Sequence, residues 1–383
     1  MDYIDVSAGS TAGTTEATSA SAALSHSGNI NSYSVFAVSP GIDGSQKVYR
    51  YRQMVSQAPN SSLAWTYLGY ALAQAQRYPE SREAYARSLY INAYAPRIWY
   101  NYATLLEKLG CYCEAVSSYQ QALVLSPSYC KAMFGESKNL FRLARYPEAL
   151  ASFDRALASP LAQGAHEYEL WYGRGKTLLK LDRIQDAIDS FEKSLLLNPQ
   201  VSKVWACLGQ ALMSLNRDET ALKKFDKAIK LSPDKSLYWI YKGFLLKRMR
   251  QYEAALACFD EALALEPSVA KTWHHRGLTL MSLRRYKDAH DSFECALKFQ
   301  AYDHKSWLSL GWALERLGDF SQAIEAYKKS LSIEPDQSYA FYRQPRCYAD
   351  LSEELSAVDP TQRRSQTKAL LAGKPEKVSV PAT

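Results

Sequence analysis

The feature that most constrains the fold of this chain is a structural unit that recurs every 34 residues and is seen complete at residues 201–233. Apolar or small residues follow Trp205 at helical spacings, at Leu208, Gly209, Leu212, Ala221, Phe225 and Ala228. Steps of three, four and seven residues place side chains on one face of an α-helix. The unit therefore predicts two amphipathic helices packed face to face, with a turn near Leu215 to Asp218 and an end at Pro233.

The unit recurs eight times, each copy beginning with an index residue equivalent to Trp205. These index residues are Trp65, Trp99, Met133, Trp171, Trp205, Trp239, Trp273 and Trp307. Neighbouring index residues are 34 positions apart, except that 38 separate Met133 from Trp171. A Leu stands seven positions after every index residue, and a Phe or Tyr stands twenty after it, from Tyr85 to Tyr327. Self-similarity at a fixed period indicates a repeat architecture.

The consensus W-x2-L-G-x2-L, then A-x3-F-x2-A and a terminal Pro, resembles the tetratricopeptide repeat (TPR) family over about Ser62 to Pro335. This resemblance implies an all-α fold, a right-handed α-α superhelical solenoid of 34-residue helix-turn-helix repeats. In a solenoid each repeat touches only its neighbours, so the array counts as one elongated domain. A single hairpin buries too little apolar surface to fold alone, and stability therefore requires packing between repeats and a cap at each end.

The repeats divide the chain into five parts. We expect a disordered Ser/Ala/Thr-rich tail at 1–42, a capping half-repeat helix at 43–61, eight repeats at 62–337, a partial repeat with a C-terminal capping helix at 338–358, and a disordered basic tail at 359–383. The repeats are 62–95, 96–129, 130–167, 168–201, 202–235, 236–269, 270–303 and 304–337. The third has four extra residues near Pro160 and Gly164, which favour a loop.

Composition narrows the classes of function. A net charge of +7 over 383 residues permits acidic partners without demanding nucleic acid. Seven scattered Cys residues indicate reduced thiols and a cytoplasmic location. No run of 18 apolar residues predicts a membrane span, and the N-terminus lacks a signal-peptide pattern.

Chemistry-bearing motifs are also missing from the sequence. It contains no G-x4-G-K-[ST], G-x-G-x-x-G, G-x-S-x-G or H-E-x-x-H motif. We therefore predict a protein that is not an enzyme, with no catalytic residues, no cofactor and no metal site. Cys111 and Cys113 are separated from Cys130 by a predicted helix about 20 Å long, so the three should not share a metal ion.

The resemblance implies that the first helices of successive repeats line a concave groove. Positions two before each index residue, and one, five, eight and nine after it, share the exposed face of that helix. The predicted groove residues are Arg97, Tyr100, Lys131, Phe134, Lys138, Arg142, Tyr172, Lys176, Lys180, Lys203, Phe244 and Trp312. The groove is basic and aromatic in repeats two to five and more apolar in repeats six to eight. This gradient predicts a partner protein that presents an extended or helical segment with acidic residues.

Other partners remain open at this stage. One alternative is RNA binding by a helical-repeat array, although base-by-base readers need polar code residues at fixed sites, which this groove lacks. Another is a regulatory subunit of a separately encoded enzyme such as a glycosyltransferase. The two-carboxylate clamp by which some family members hold chaperone tails is disfavoured: Asn101 and Lys131 match it, whereas Thr66, Tyr70 and Gly135 do not. The sequence does not indicate an oligomeric state.

Overall fold

A computed structural model describes residues 44–159, 167–335, 343–344, 346–350 and 352. The predicted tails at 1–42 and 359–383 and the loop around Pro160 and Gly164 lie outside these residues, as does most of the segment 338–358.

Between residues 44 and 333 the described chain forms seventeen α-helices and no strand. The helices are α1 (Gly44–Gln57), α2 (Ser62–Gln74), α3 (Tyr78–Ile91), α4 (Pro96–Lys108), α5 (Tyr112–Leu125), α6 (Cys130–Arg142), α7 (Tyr146–Ala158), α8 (Glu167–Lys180), α9 (Ile184–Leu197), α10 (Ser202–Ser214), α11 (Asp218–Leu231), α12 (Ser236–Arg248), α13 (Tyr252–Leu265), α14 (Ala270–Ser282), α15 (Tyr286–Phe299), α16 (His304–Leu317) and α17 (Phe320–Ile333). Helices pack in consecutive pairs, from α2 with α3 to α16 with α17, and each pair packs on the next. The predicted all-α solenoid of helix-turn-helix repeats is confirmed.

Each hairpin is held together by the aromatic residue of its second helix. All eight of these side chains are buried, with at most 2% exposed: Tyr85, Tyr119, Phe153, Phe191, Phe225, Phe259, Phe293 and Tyr327. In six repeats the ring lies against a glycine four positions after the index residue; a Cβ added to Gly209, for example, would come within 2.8 Å of the Phe225 ring. The missing side chain lets the two helices approach closely.

The turn between the two helices has one backbone conformation throughout the array. The residue eleven positions after each index residue has a positive φ in all eight repeats. Only Gly110 and Gly318 are glycines; the others are Gln76, Ala144, Asp182, Asn216, Arg250 and Arg284, with φ between 56° and 61°. An L-residue in this left-handed region costs about 1–2 kcal/mol relative to its right-handed conformation. Packing of the hairpin outweighs this cost at six positions.

A tryptophan hydrogen bond joins each repeat to the one before it. In six repeats the index indole Nε1 donates to the backbone carbonyl six residues earlier, at the end of the preceding unit, over 2.8–3.0 Å. Repeat three has Met133 in this place. Repeat four follows the insertion, and its Trp171 donates instead to the Glu167 side chain at 3.4 Å.

Both ends of the described array are covered. Val48 and Met54 of α1 are buried, and Val48 packs with Leu68 and Leu72 of α2. At the other end Cys347 is buried in the core cluster that contains Ile324 and Tyr327 of α17. These contacts shield apolar faces that a missing neighbouring repeat would otherwise leave in water.

The close packing of Gly209 on Phe225 yields a stability prediction. Gly209→Ala should lower the free energy of unfolding by about 1–2 kcal/mol, because the destabilisation by overpacking exceeds the stabilisation from the better helix propensity of alanine. Gly69→Ala is the matched control, since its Cβ would stand 3.1 Å from the Tyr85 ring and needs only a small adjustment. Urea denaturation midpoints measure both. A Gly209→Ala variant at least as stable as the parent would contradict this account of the hairpin.

Candidate binding groove

The first helices of the repeats form the inner wall of the solenoid. First helices of neighbouring repeats contact one another, for example α4 with α6 and α8 with α10, whereas no pair of neighbouring second helices makes comparable contact in the described array. The first helices therefore follow the shorter, inner arc. A groove along this arc is lined by one helix from each repeat.

The predicted groove residues differ in exposure. Arg97, Lys131, Arg142, Lys180 and Lys203 are exposed, and Tyr100, Phe134, Lys138, Tyr172, Lys176, Phe244 and Trp312 are half-buried. The half-buried rings pack sideways on their neighbours: Tyr100, for example, stands 5.1 Å from the Tyr129 ring. Trp312 packs against the core cluster of repeats seven and eight.

Two of the predicted cations are already paired within the chain. Glu107 Oε1 lies 2.7 Å from both Lys138 Nζ and Arg142 NH1, and Asn139 Nδ2 donates to Glu107 Oε2 at 3.1 Å. Burial opposes ionisation of Glu107, but the hydrogen bonds from Lys138 and Asn139 and the nearby positive charges outweigh it and hold its pKa below the ordinary value. Lys138 and Arg142 thus share one carboxylate, Glu107, which offsets one of their two positive charges and which the sequence did not single out.

A second basic group has no such carboxylate. Lys203 Nζ lies 5.0 Å from the Tyr172 ring centre, and Lys176 Nζ lies 5.6 Å from the same ring and 4.8 Å from that of Phe141. Within the described residues, neither ammonium forms an ion pair. Two positive charges, one on α8 and one on α10, therefore flank the Tyr172 ring. We call Lys176, Tyr172 and Lys203 the lysine pair site.

Farther along, the groove wall becomes aromatic. The Phe244 ring lies 4.4 Å from the His275 ring, edge to face, and 6.5 Å from that of Tyr241. Burial, with smaller contributions from His274 and Lys247, lowers the pKa of His275 to about 4, so its imidazole is neutral at physiological pH. This part of the wall offers apolar and ring surface more than charge.

Potential metal ligands come together away from the groove. Among the described residues, His290, Asp291 and Glu294 form one group whose ligand atoms lie within 4.8 Å of one another, on the second helix α15. The adjacent His274 and His275 lie elsewhere, on the first helix α14. All seven cysteines carry free thiols.

Comparison with known proteins fits this geometry. Models of the tetratricopeptide repeat match residues 49–96, 134–202 and 172–236, and further models of the same repeat match 96–129, 236–269 and 304–337. The chain is a tetratricopeptide repeat protein. Its TPR array is a protein-interaction scaffold, as this repeat typically forms. A search of curated proteins finds no significant match.

Solved structures include several TPR proteins similar to this one. The C-terminal part of a TPR repeat-containing protein from Cytophaga hutchinsonii aligns at 16% identity and a TM-score of 0.54, covering 63% of this chain and 98% of that one. YrrB, described as a TPR protein with an unusual peptide-binding site, aligns at 24% identity and 0.42, covering 49% and 94%. MamA from Desulfovibrio magneticus aligns at 21% and 0.43, covering 45% and 98%. The Cytophaga likeness supports the fold alone.

In the described part of this TPR protein, no helix combines the length and apolarity needed to cross a bilayer.

The Glu107 carboxylate, which pairs with Lys138 and Arg142, makes the stability of this TPR protein depend on pH. Because the pKa of Glu107 is lower folded than unfolded, its stabilisation is present above the unfolded value of about 4.3 and is lost as pH falls through the folded value. Glu107→Gln should lower the free energy of unfolding by about 1–3 kcal/mol at pH 7, and the difference from the parent should be smaller at pH 3.

Urea denaturation at both pH values measures this difference. Glu114→Gln is the control, because Glu114 pairs with Arg82 at 2.8 Å at an exposed position and should change stability by less than about 0.5 kcal/mol. Equal effects of the two substitutions at pH 7 would contradict the role given to Glu107.

Proposed function

We propose that this TPR protein is a non-enzymatic adaptor that holds a segment of another protein in its concave groove, with the lysine pair site as the anchor for an acidic residue of that segment. The observation that carries the proposal is the pair of ammonium groups beside Tyr172 without a carboxylate partner in the described chain. A guest carboxylate would supply the missing negative charge.

The chemistry of the site suits a carboxylate. Lys176 is half-buried between the Phe141 and Tyr172 rings, so its charge is less screened than that of a lysine extended into solvent. Charge-assisted hydrogen bonds to an anion are shorter and stronger than neutral ones. Lys138 and Arg142 would contribute less, because Glu107 offsets their charge. Arg97, Lys131 and Lys180 are exposed and suit a supporting role along the rim.

The aromatic part of the groove would hold apolar side chains of the same segment. Phe244 and His275 offer ring surface, and Trp312 continues the wall in repeat eight. Buried aromatic anchors commonly carry much of the binding energy at protein interfaces. The bound segment would thus place an acidic residue at repeats four and five and apolar residues at repeats six to eight. A regulatory role toward a separately encoded enzyme would use the same groove and differ only in the partner.

We further propose that the protein acts in the cytoplasm. Support comes from the seven free thiols, which persist in a reducing compartment.

The test replaces both lysines of the anchor. Lys176→Glu with Lys203→Glu should weaken partner binding by at least about a hundredfold, since two charge-assisted hydrogen bonds of about 1.5 kcal/mol each are lost and repulsion is added. Affinity capture with the full chain, followed by quantitative mass spectrometry, identifies the partners that respond. Lys223→Glu with Lys227→Glu makes the same charge change on exposed positions of the second helix α11 and should leave capture unchanged.

Circular dichroism should show equal helicity for all these variants. Partners that bind the Lys176 and Lys203 variant as well as the parent would contradict the anchor. Capture of single-stranded RNA with a steep salt dependence would favour the nucleic-acid alternative.

A further inference from the structure

At three junctions a recurring contact on the outer face links a second helix to the first helix of the next repeat. A cation three positions after the index residue pairs with an aspartate of the preceding second helix: Arg174 with Asp154 at 2.6 Å, Lys242 with Asp226 at 2.7 Å, and Arg276 with Asp260 at 2.6 Å. The aspartate always stands twenty-one positions after the preceding index residue. This spacing defines a standard pair between neighbouring repeats.

The index tryptophan completes the standard pair. The cation lies over the tryptophan ring of its own repeat, at 5.7 Å for Arg174 on Trp171, 5.8 Å for Lys242 on Trp239 and 5.7 Å for Arg276 on Trp273. The two arginines also donate to a serine of the second helix of their own repeat. A guanidinium thus fits a site made of one carboxylate, one indole face and one hydroxyl.

Repeat eight keeps the carboxylate and the indole but lacks the cation. Glu294 stands at the acid position and Trp307 at the index position, whereas Leu310 replaces the arginine or lysine. Among the described residues, the only ion-pair contact of Glu294 is His290 Nε2, 3.7 Å away, and that imidazole is charged only when protonated. The acid therefore lacks the permanent positive charge that its equivalents have.

The space of the missing side chain is open. Between α15 and α17 lies a cavity of about 590 Å³, which we call the outer cavity, and its lining includes Glu294, Trp307, Leu310, Leu314 and Ala326. Apolar atoms of Leu310 and Leu314 form its floor, and Glu294 stands on its wall. Lys329 lies over Trp307 at 4.6 Å but does not occupy the position of the cation. Its equivalent in repeat four, Lys193, lies over Trp171 together with Arg174, so the two positions are separate.

Two other repeats also have leucine at this position. In repeat five, where Leu208 takes the place of the cation, Lys224 lies over Trp205 at 5.2 Å. In repeat one, with Leu68, the position equivalent to the aspartate is Arg52, which pairs with Glu80 at 2.6 Å. Repeat five also has an acid, Glu192, at the standard position, whereas at repeat eight the acid and the indole line a cavity of about 590 Å³ together.

We propose that the outer cavity takes an arginine side chain from a partner protein, with its guanidinium on Glu294 and against the Trp307 ring. Arginine fits better than lysine because its planar group can bond a carboxylate through two donors while it stacks on an aromatic face. The methylene groups of the side chain would cover the Leu310 floor. This surface lies on the opposite side of the repeats from the groove and does not depend on the proposed peptide anchor.

The test uses the full chain and a capped peptide with one arginine between two leucines. The peptide is titrated into the protein, and binding is followed by the chemical shift of the Trp307 indole resonance in an NMR spectrum. The arginine peptide should shift this resonance saturably, and the same peptide with citrulline, which is nearly isosteric but neutral, should bind at least about tenfold more weakly. Glu294→Gln should cause a similar loss. Asp260→Asn, which removes an acid already paired with Arg276, is the matched control and should not change binding.

A second variant restores the missing side chain. Leu310→Arg should form the standard pair with Glu294 inside the chain, keep the protein folded and abolish binding of the arginine peptide. Equal binding of the arginine and citrulline peptides, or undiminished binding by Leu310→Arg, would overturn the proposal. A further variant, Arg363→Gln with Arg364→Gln, is measured without peptide. If it shifts the Trp307 resonance, the cavity holds the chain's own arginines, and this result would also overturn the proposal of a partner's arginine.

Discussion

The regular stacking of the solenoid depends on the hydrogen bond from the index indole to the end of the preceding unit, which six of the eight repeats form. The bond satisfies a backbone carbonyl in the loop after the preceding helix, and it fixes the angle at which the next first helix starts. Because it repeats in six units with nearly the same length, successive hairpins enter the array alike. The inner arc on which the groove is built follows from that regular entry.

The two units without this bond lie at the centre of the candidate groove. Repeat three has Met133 as its index residue, and Trp171 of repeat four turns to Glu167 after the insertion. Side chains of these two repeats reach to the repeat before: Arg142 of repeat three pairs with Glu107 of repeat two, and Lys176 of repeat four lies over the Phe141 ring of repeat three. Here polar and cation–ring contacts between first helices link units that lack the indole bond.

Most of the fold could be predicted from the sequence, because a 34-residue period fixes which residues face the core. Leu212 and Phe225 illustrate this, since both are buried as their positions in the unit require. Pairing across repeats was harder to predict. Glu107 meets Lys138 and Arg142, which are 31 and 35 residues away, only because the solenoid stacks one first helix on the next. The sequence prediction counted cations by position without their partners. It therefore overstated the contribution of Lys138 and Arg142 to the charge of the groove. Alignment of all eight copies could have revealed that repeat eight keeps the consensus leucine, Leu310, at a position where three other repeats have a cation.

The most direct test of the coupling between repeats compares two tryptophan-to-phenylalanine substitutions. Trp239→Phe removes the donor to the Pro233 carbonyl, held at 3.0 Å, whereas Trp171→Phe removes a weak contact to a side chain at 3.4 Å, and both shorten the ring equally. Urea denaturation should show Trp239→Phe to be less stable than Trp171→Phe by about 0.5–1.5 kcal/mol, the net value of one hydrogen bond. Equal losses, or a larger loss for Trp171→Phe, would show that the indole bond does not hold the repeats in register.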